Sequence, residues 1–503
     1  MEIKCTETVC DCLRLIVSET LRREEEREAV VTDSMPDISA ILSVSGTPLI
    51  RSKDLSAGQL RLAANLPIRV AYLPENGDAI CTLELDLPVS VTLENAEISE
   101  ACTALTGLVL VSLEARILNP RKIAVRAEFC FPVRVYCASP LRFFGAPEEA
   151  GQGIHVLERE AEITPVCAAL EKTFVLTDEA PLASDSPAVA KILSQSTVLE
   201  TEELKSVGTK IILKGSAVSR IVYLSTDGTP AAASFRTAFS QIAEADRLPA
   251  DCLLSCEAML SGAYYEPGSP DGGTIRAEMH VVAELTVRNR QSVRYLADAY
   301  NNLWEMETAA EARELERAVR EMRLGPSARA AVETPAPVYE VLSVSASPGE
   351  AAVEGGTVTL PLTAQIFYFT GDGAVRCAVR TIPVKATTDL EEGARLIVTG
   401  CALRDCAAVP AGGGLDLRAE TEIAVSVLMT ERAEMISAIT VDEERPLDLT
   451  GEPTLVLLRA EGDDLWPLAR AYHSEVEAIR PAASEEAAEG EGCALLLIPK
   501  TLS

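Results

Sequence analysis

Catalysis needs nucleophiles, acids, bases or metal ligands at workable spacings, and this sequence scatters them thinly. Its three histidines, His155, His280 and His473, fall in unrelated segments. No HExxH, GxSxG or Walker A pattern occurs, nor a paired CxxC. Cys10-x-Cys12 and Cys252-x-x-x-Cys256 lack partners at zinc spacing and read as packing thiols. With 76 acidic residues some carboxylates must lie close together, so a glycosidase pair stays open as a minor reading. The pairing that recurs is Arg-Ala-Glu, at Arg126 to Glu128, Arg276 to Glu278 and Arg418 to Glu420. Each sits in an alternating run, which as a strand puts Arg and Glu on one face and Ala on the other. They form either a paired binding face or cross-strand ion pairs on a solvated face, worth under about 1 kcal/mol. A catalytic dyad repeated three times would be unusual, which favours the second. The expectation is a protein with no catalytic residues, no bound metal and no cofactor.

The densest group of specific side chains lies near the C-terminus. Gly462, Asp463, Asp464, Leu465 and Trp466 run together, followed by Tyr472 and Ile479. Asp463 or Asp464 is a good N-cap, and Pro467 falls in the first turn, where its missing N–H is tolerated. Leu465, Leu468, Ala469 and Tyr472 then make the apolar face of a helix. A second short helix can hold Val476 to Ile479. Leu455–Leu458 and Leu495–Ile498 flank them as strands, so the order is β-α-α-β, with the acidic loop 484–491 before the last strand. Trp466 could stack on a ligand or anchor the small core.

These elements hang on a larger repeat. Pro36-Asp37-Ile38-Ser39-Ala40-Ile41-Leu42-Ser43 returns as Pro187 to Ser194, and one residue shorter as Pro337 to Ser343. About thirty residues after each Leu stands a Tyr in an apolar strand: Tyr72, Tyr223 and Tyr368. Each Tyr strand meets a tight-turn signal, Glu75-Asn76-Gly77-Asp78, Thr226-Asp227-Gly228-Thr229 or Gly371-Asp372-Gly373, and then a second strand. The Arg-Ala-Glu triplet follows about fifty residues beyond each Tyr. Three copies in register are expected to be three copies of one β-rich fold.

Two stretches outside these marks read as helices. Cys10 to Glu28 carries Leu13, Val17 and Leu21 on one face, and Met306 to Leu324 is rich in Ala, Glu and Arg before a stop at Gly325-Pro326-Ser327. The division expected is an N-terminal helical segment (1–30), repeat one (31–150), repeat two (151–300), a helical linker (301–330), repeat three (331–450) and a small βααβ module (451–503). The fold class is therefore mainly β: three tandem β-sandwich-like repeats with connecting helices, plus the module.

Composition narrows the partners. The chain has 503 residues and a formal charge of −31, which repels phosphate backbones and anionic lipid, so neither nucleic acid nor a membrane surface is expected. That charge either keeps an apolar-rich chain in solution or steers a basic partner. Aromatic residues make up only 4%, poor stock for ligand pockets or stacking platforms. The N-terminus shows no signal peptide and no apolar run is long enough to span a bilayer, so neither export nor membrane insertion is expected. The fourteen cysteines form no regular framework and are expected mostly as buried reduced thiols, Cys81, Cys130 and Cys377 among them, with late cross-linking in an oxidised assembly as the other reading.

Gly-Asp-x-Leu-Trp-x-Leu-Ala-x-x-Tyr over 462–472, then Val-Glu-x-Ile and Leu-Leu-Ile-Pro, resembles a LysM domain. Asp464 stands where that family usually has Thr or Ser, and Arg480-Pro481 where Asn is typical. The upstream copies resemble the SPOCS domain through Pro36-Asp37-Ile38 with Ile41-Leu42, Val70-Ala71-Tyr72, Asn119 to Val125, and a closing segment at Leu296 to Tyr300. Together the pattern is similar to the SipL-type spore morphogenetic proteins. That resemblance implies a structural adaptor in the mother-cell cytoplasm at the forespore surface, its LysM-like domain contacting a spore-coat basement-layer ATPase. The alternative it implies is binding of peptidoglycan, an N-acetylglucosamine glycan. In either case Gly462, Asp463, Asp464, Leu465, Trp466, Tyr472 and Ile479 are the candidate contact residues.

Overall fold

The computed structural model describes residues 2–75, 77, 80–149, 151–461, 464–481 and 493–501. The fold is mainly β and grows from the Tyr strands. In Gln59–Pro74 the alternate residues Leu60, Leu62, Leu66, Ile68, Val70 and Tyr72 are all buried. Such a run satisfies a pleated strand with one face on a core. Lys210–Ser225 and Thr357–Thr370 repeat it around the buried Tyr223 and Tyr368. Each Tyr strand turns back into an antiparallel partner, Cys81–Glu94, Pro230–Glu244 or Val375–Thr387. Gly228 and Gly373 hold the turns with φ of 85° and 80°, and Asp227 and Asp372 accept the backbone N–H groups of Thr229 and Ala374. In the first repeat Asn76 and Asp78 lie outside the described residues.

The Pro…Leu motif forms the third strand of this sheet, and its chemistry becomes visible in the register. Ile41 pairs with Tyr72 and Ser43 with Ala71, so Leu42 is skipped as a bulged residue. Leu193 and Leu342 are skipped in the same way. A bulge re-aims its side chain, and all three leucines point into one shared cluster. The Tyr hydroxyls close the motif from the other side: Tyr72 donates to Pro36 O (3.2 Å) and Tyr223 to Pro187 O (2.9 Å).

A second sheet faces the first across each core. The strand bearing the Arg-Ala-Glu triplet lies at its centre: Lys122–Ala138, Thr274–Asn289 or Gly414–Pro446. Ala127, Ala277 and Ala419 are buried while the three arginines are exposed. The arginines take partners other than the triplet's own glutamate. Arg126 pairs with Glu24, Arg276 with Glu266 and Arg418 with Asp416. One core cluster per repeat joins the two sheets.

Both expected helices are strands. Leu13–Val30 pairs along its length with Lys122–Ala138, and Trp304–Leu324 pairs along its length with Gly414–Pro446. They are the leading strands of repeats one and three, equivalent to Val166–Pro181 in repeat two. The first mimics a helix because Leu13, Val17 and Leu21 recur at every fourth residue. Four is near a helical turn, but it is also every second residue on one strand face. The second has high helix propensity, and twenty rungs of ladder override it. Tyr264 and Tyr265 lie in the strand Cys252–Pro267, the first exposed and the second buried.

The cysteine expectation is corrected at one pair. Antiparallel register sets Thr103 opposite Tyr136, which brings Cys102 against Cys137, and these two form a disulfide. Their 35-residue separation offered no framework from which to read it. Cys81, Cys130 and Cys377 take part in no disulfide.

The three repeats close into a ring. Leu42, Leu193 and Leu342 gather with Leu73, Leu224 and Phe369, and with Ala71, Val222 and Phe367, in a cluster built from equivalent positions. Hydrogen bonds run round it in one sense. Arg69 donates to the Gln195 side chain (3.3 Å), Arg220 to Val344 O (2.6 Å) and Gln365 to Val44 O (3.3 Å). Each donor stands three residues before its Tyr, and each acceptor stands two after the bulged Leu of the next repeat. At another level Cys10, Ile163 and Leu315, again equivalent, meet with Phe143, Val293 and Ala433. The arrangement is a pseudo-threefold ring within one chain.

Candidate functional site

The C-terminal module is a small sheet with one short helix. Leu455–Glu461 and Cys493–Pro499 pair antiparallel, and Arg480–Pro481 adds a short third strand. Trp466–Ala471 is α-helical, but the second expected helix, at Val476–Ala478, is a single 3-10 turn. Leu465 occupies the N-cap, one residue later than expected, because Asp464 instead accepts the Trp466 backbone N–H at 3.1 Å.

Of the candidate contact residues, Gly462 and Asp463 lie outside the described residues. Ile479 is buried, and Leu465, Trp466 and Tyr472 pack half-buried with Leu496 and Ile498 in the module's core. Asp464 is exposed. The group is therefore not one open face. Trp466 in particular is committed inward. Its indole N–H donates to Asp298 Oδ2 at 2.8 Å, and its ring meets Tyr300 edge-on at 4.9 Å.

Those contacts seat the module on repeat two. Asp298 also receives Arg470 at 2.7 Å on both carboxylate oxygens. The Tyr300 hydroxyl donates to Ser474 O at 2.7 Å, and His155 stacks on the Tyr300 ring at 4.9 Å. Asn302 reaches both His155 Nε2 (2.9 Å) and Thr501 Oγ1 (3.2 Å). Burial lowers the His155 pKa, which favours the neutral ring that can accept from Asn302. Burial also pushes Tyr300 up to about 12, helped by Glu475, Glu477 and Asp298, so it stays a donor. Asp298 and Tyr300 lie in the closing segment marked in the sequence, but nothing there showed that it is a seat.

A second charged group sits between repeats one and two. Glu171, Glu284 and Glu257 lie side by side on three adjacent strands. Lys53 and Arg134 of repeat one face them: Lys53 binds Glu171 and lies 3.7 Å from Glu284, while Arg134 lies 3.0 Å from Glu257 and 3.9 Å from Glu284. Glu284 is 2% exposed; its Oε1 accepts the Thr106 N–H, and its Oε2 has no hydrogen-bond partner among the described residues. Burial pushes its pKa up to about 7 against the pull of Thr106, Lys53 and Arg134. Position eight after the triplet Arg is Glu284 here, Arg134 in repeat one and Ser426 in repeat three. The ring's symmetry is thus broken by chemistry at this interface.

A cavity of about 1240 Å³ lies among the three repeats, with Arg134, Glu257, Arg288, Glu316, Arg395 and Ser426 in its wall. Several of its charges pair with one another: Glu316 with both Arg288 and Arg395, Arg134 with Glu257, and Arg323 with Glu422. Among the described residues no three His, Cys, Asp or Glu side chains gather as metal ligands. No helix among them is long and apolar enough to cross a membrane. The chain matches no protein-family model, no curated protein and no solved structure.

Proposed function

We propose that this protein is a non-enzymatic structural adaptor of the spore envelope, working in the mother-cell cytoplasm at the forespore surface. Its C-terminal LysM-like module would contact a spore-coat basement-layer ATPase. The spore assignment rests on the resemblance of the repeats to SPOCS domains and of residues 462–498 to a LysM domain. One structural observation carries the adaptor reading: the module is bolted to repeat two through Asp298, and repeat two is locked into a ring. A rigid body holding a small module in fixed orientation suits a scaffold that transmits position between partners.

The glycan reading draws less support. A stacking platform needs a free aromatic face, and Trp466 spends its N–H on Asp298 and its ring on Tyr300.

The test compares the full chain with a truncation lacking 451–503, both fluorescently tagged, in sporulating cells. The full chain should ring the forespore and the truncation should spread through the mother cell while its circular dichroism stays β-rich. A truncation that still rings the forespore would overturn the adaptor reading. Retention of the full chain on insoluble peptidoglycan would move the reading to glycan.

A further inference from the structure

The outer face of the module's sheet exposes leucines. In Leu455-Val456-Leu457-Leu458 every position is apolar, the pattern of a strand covered on both faces. Among the described residues only one face is covered. Val456 and Leu458 join the module core with Leu496 and Ile498, whereas Leu455, Leu457 and Leu495 are 52%, 57% and 42% exposed. Cross-strand register places Leu457 beside Leu497 and Leu455 beside Pro499, so the apolar surface continues over two strands.

Two further features say what would cover it. Leu455–Glu461 is at the edge of its sheet, pairing on one side only among the described residues, so a row of N–H and C=O groups is open to another strand. Arg459 pairs with Leu495 and Arg480 with Leu497, so both arginines lie on the leucine face. Both are exposed, and neither has an ion-pair partner among the described residues. In a chain of 45 cations and 76 anions, these two arginines stand beside exposed leucines, available to carboxylates of a partner.

We infer that the free edge of the Leu455–Glu461 strand, with the leucine face beside it, takes up an extended segment of a partner protein that is apolar at alternate positions and flanked by carboxylates. The segment adds a strand to the sheet. Its backbone supplies the ladder, its apolar side chains cover Leu455 and Leu457, and its acids meet Arg459 and Arg480. A second copy of the chain is the poorer fit, since it brings the same two arginines and the same charge of −31. This rests on the adaptor reading and names the contact it would use.

Fluorescence anisotropy of the full chain tests it, with a labelled nine-residue peptide alternating valine and threonine between glutamate pairs. Three comparisons decide. Replacing the glutamates by lysines, methylating the amide nitrogens of alternate residues, or using the Leu455→Lys, Leu457→Lys double variant should each weaken binding tenfold or more. The Arg459→Glu, Arg480→Glu variant should reverse the preference toward the lysine-flanked peptide. No difference between the glutamate and lysine peptides, or full binding by the methylated one, overturns the inference, as does concentration-dependent dimerisation of the unliganded chain through this edge. In sporulating cells the double leucine variant should lose the forespore ring. If it localises normally while the 451–503 truncation does not, this edge is wrong and the adaptor reading stands; if the truncation also localises normally, the adaptor reading itself falls.

Discussion

Single residues decide where this protein is pH-sensitive and how firmly its module is held. Glu284 carries a pKa raised from 4.5 to about 7, with burial as the largest cause. Folding therefore favours its neutral form. The contribution is fully present below the unfolded value near 4.5 and is lost as pH climbs through about 7, where the fold must hold a buried charge. The span corresponds to about 3 kcal/mol as an upper figure. Glu284→Gln should flatten stability between pH 5 and 8 and raise the urea midpoint at pH 8; an unchanged pH slope would show that the carboxyl is ionised throughout. The seat of the module offers a second measurement. Asp298→Ala removes the acceptor of Trp466 and Arg470, a loss of about 1–3 kcal/mol for bonds to a charged group. Amide exchange over 464–481 should accelerate and tryptophan emission should shift to the red, while exchange in the ring stays put. None of these roles was legible in the sequence. A buried Glu reads like any other of the 76 acids, and Trp466 announced a specific contact without saying that it points into the chain.

At the scale of elements, what could be read was what repeats. Hairpins with Gly at positive φ, alternating Tyr strands and the Arg-Ala-Glu strands all follow from local rules of pleat and turn, and three aligned copies reinforced each other. The leading strands were lost because local rules misdescribe them. Trp304–Leu324 offers Ala, Glu, Arg, Leu and Met, the residues of a good isolated helix. It becomes a strand because Leu315 and its neighbours are needed in the junction where the repeats meet, and because the triplet strand of repeat three has an edge that must be paired. A synthetic peptide of residues 304–324 should turn helical in trifluoroethanol–water mixtures. The same residues in the intact chain should show slow exchange and strand chemical shifts. Helical shifts in the intact chain would reverse the assignment and leave repeat three without its leading strand. The bulged leucines were visible as part of a motif, yet a bulge is a matter of register between two strands, and one strand alone does not display it.

The whole molecule poses the question of whether three repeats behave as beads or as one body. Sequence similarity alone describes beads. The ring argues otherwise, since every repeat gives a bulged Leu to one cluster and passes one hydrogen bond to the next. No repeat can leave without opening two interfaces, so unfolding should be a single cooperative transition despite the chain's length. Leu193, fully buried, belongs structurally to repeat two but energetically to all three. Leu193→Ala should cost about 2–5 kcal/mol. Because the cavity opens at the shared axis, the urea midpoints reported by probes in repeats one, two and three should fall together, with the slope unchanged. A variant in which only the repeat-two probe moves, or a wild-type curve that resolves into separate steps, would mean that the axial cluster is a contact between independent domains. A platform of that kind could not hold the C-terminal module at a fixed angle to the rest of the chain.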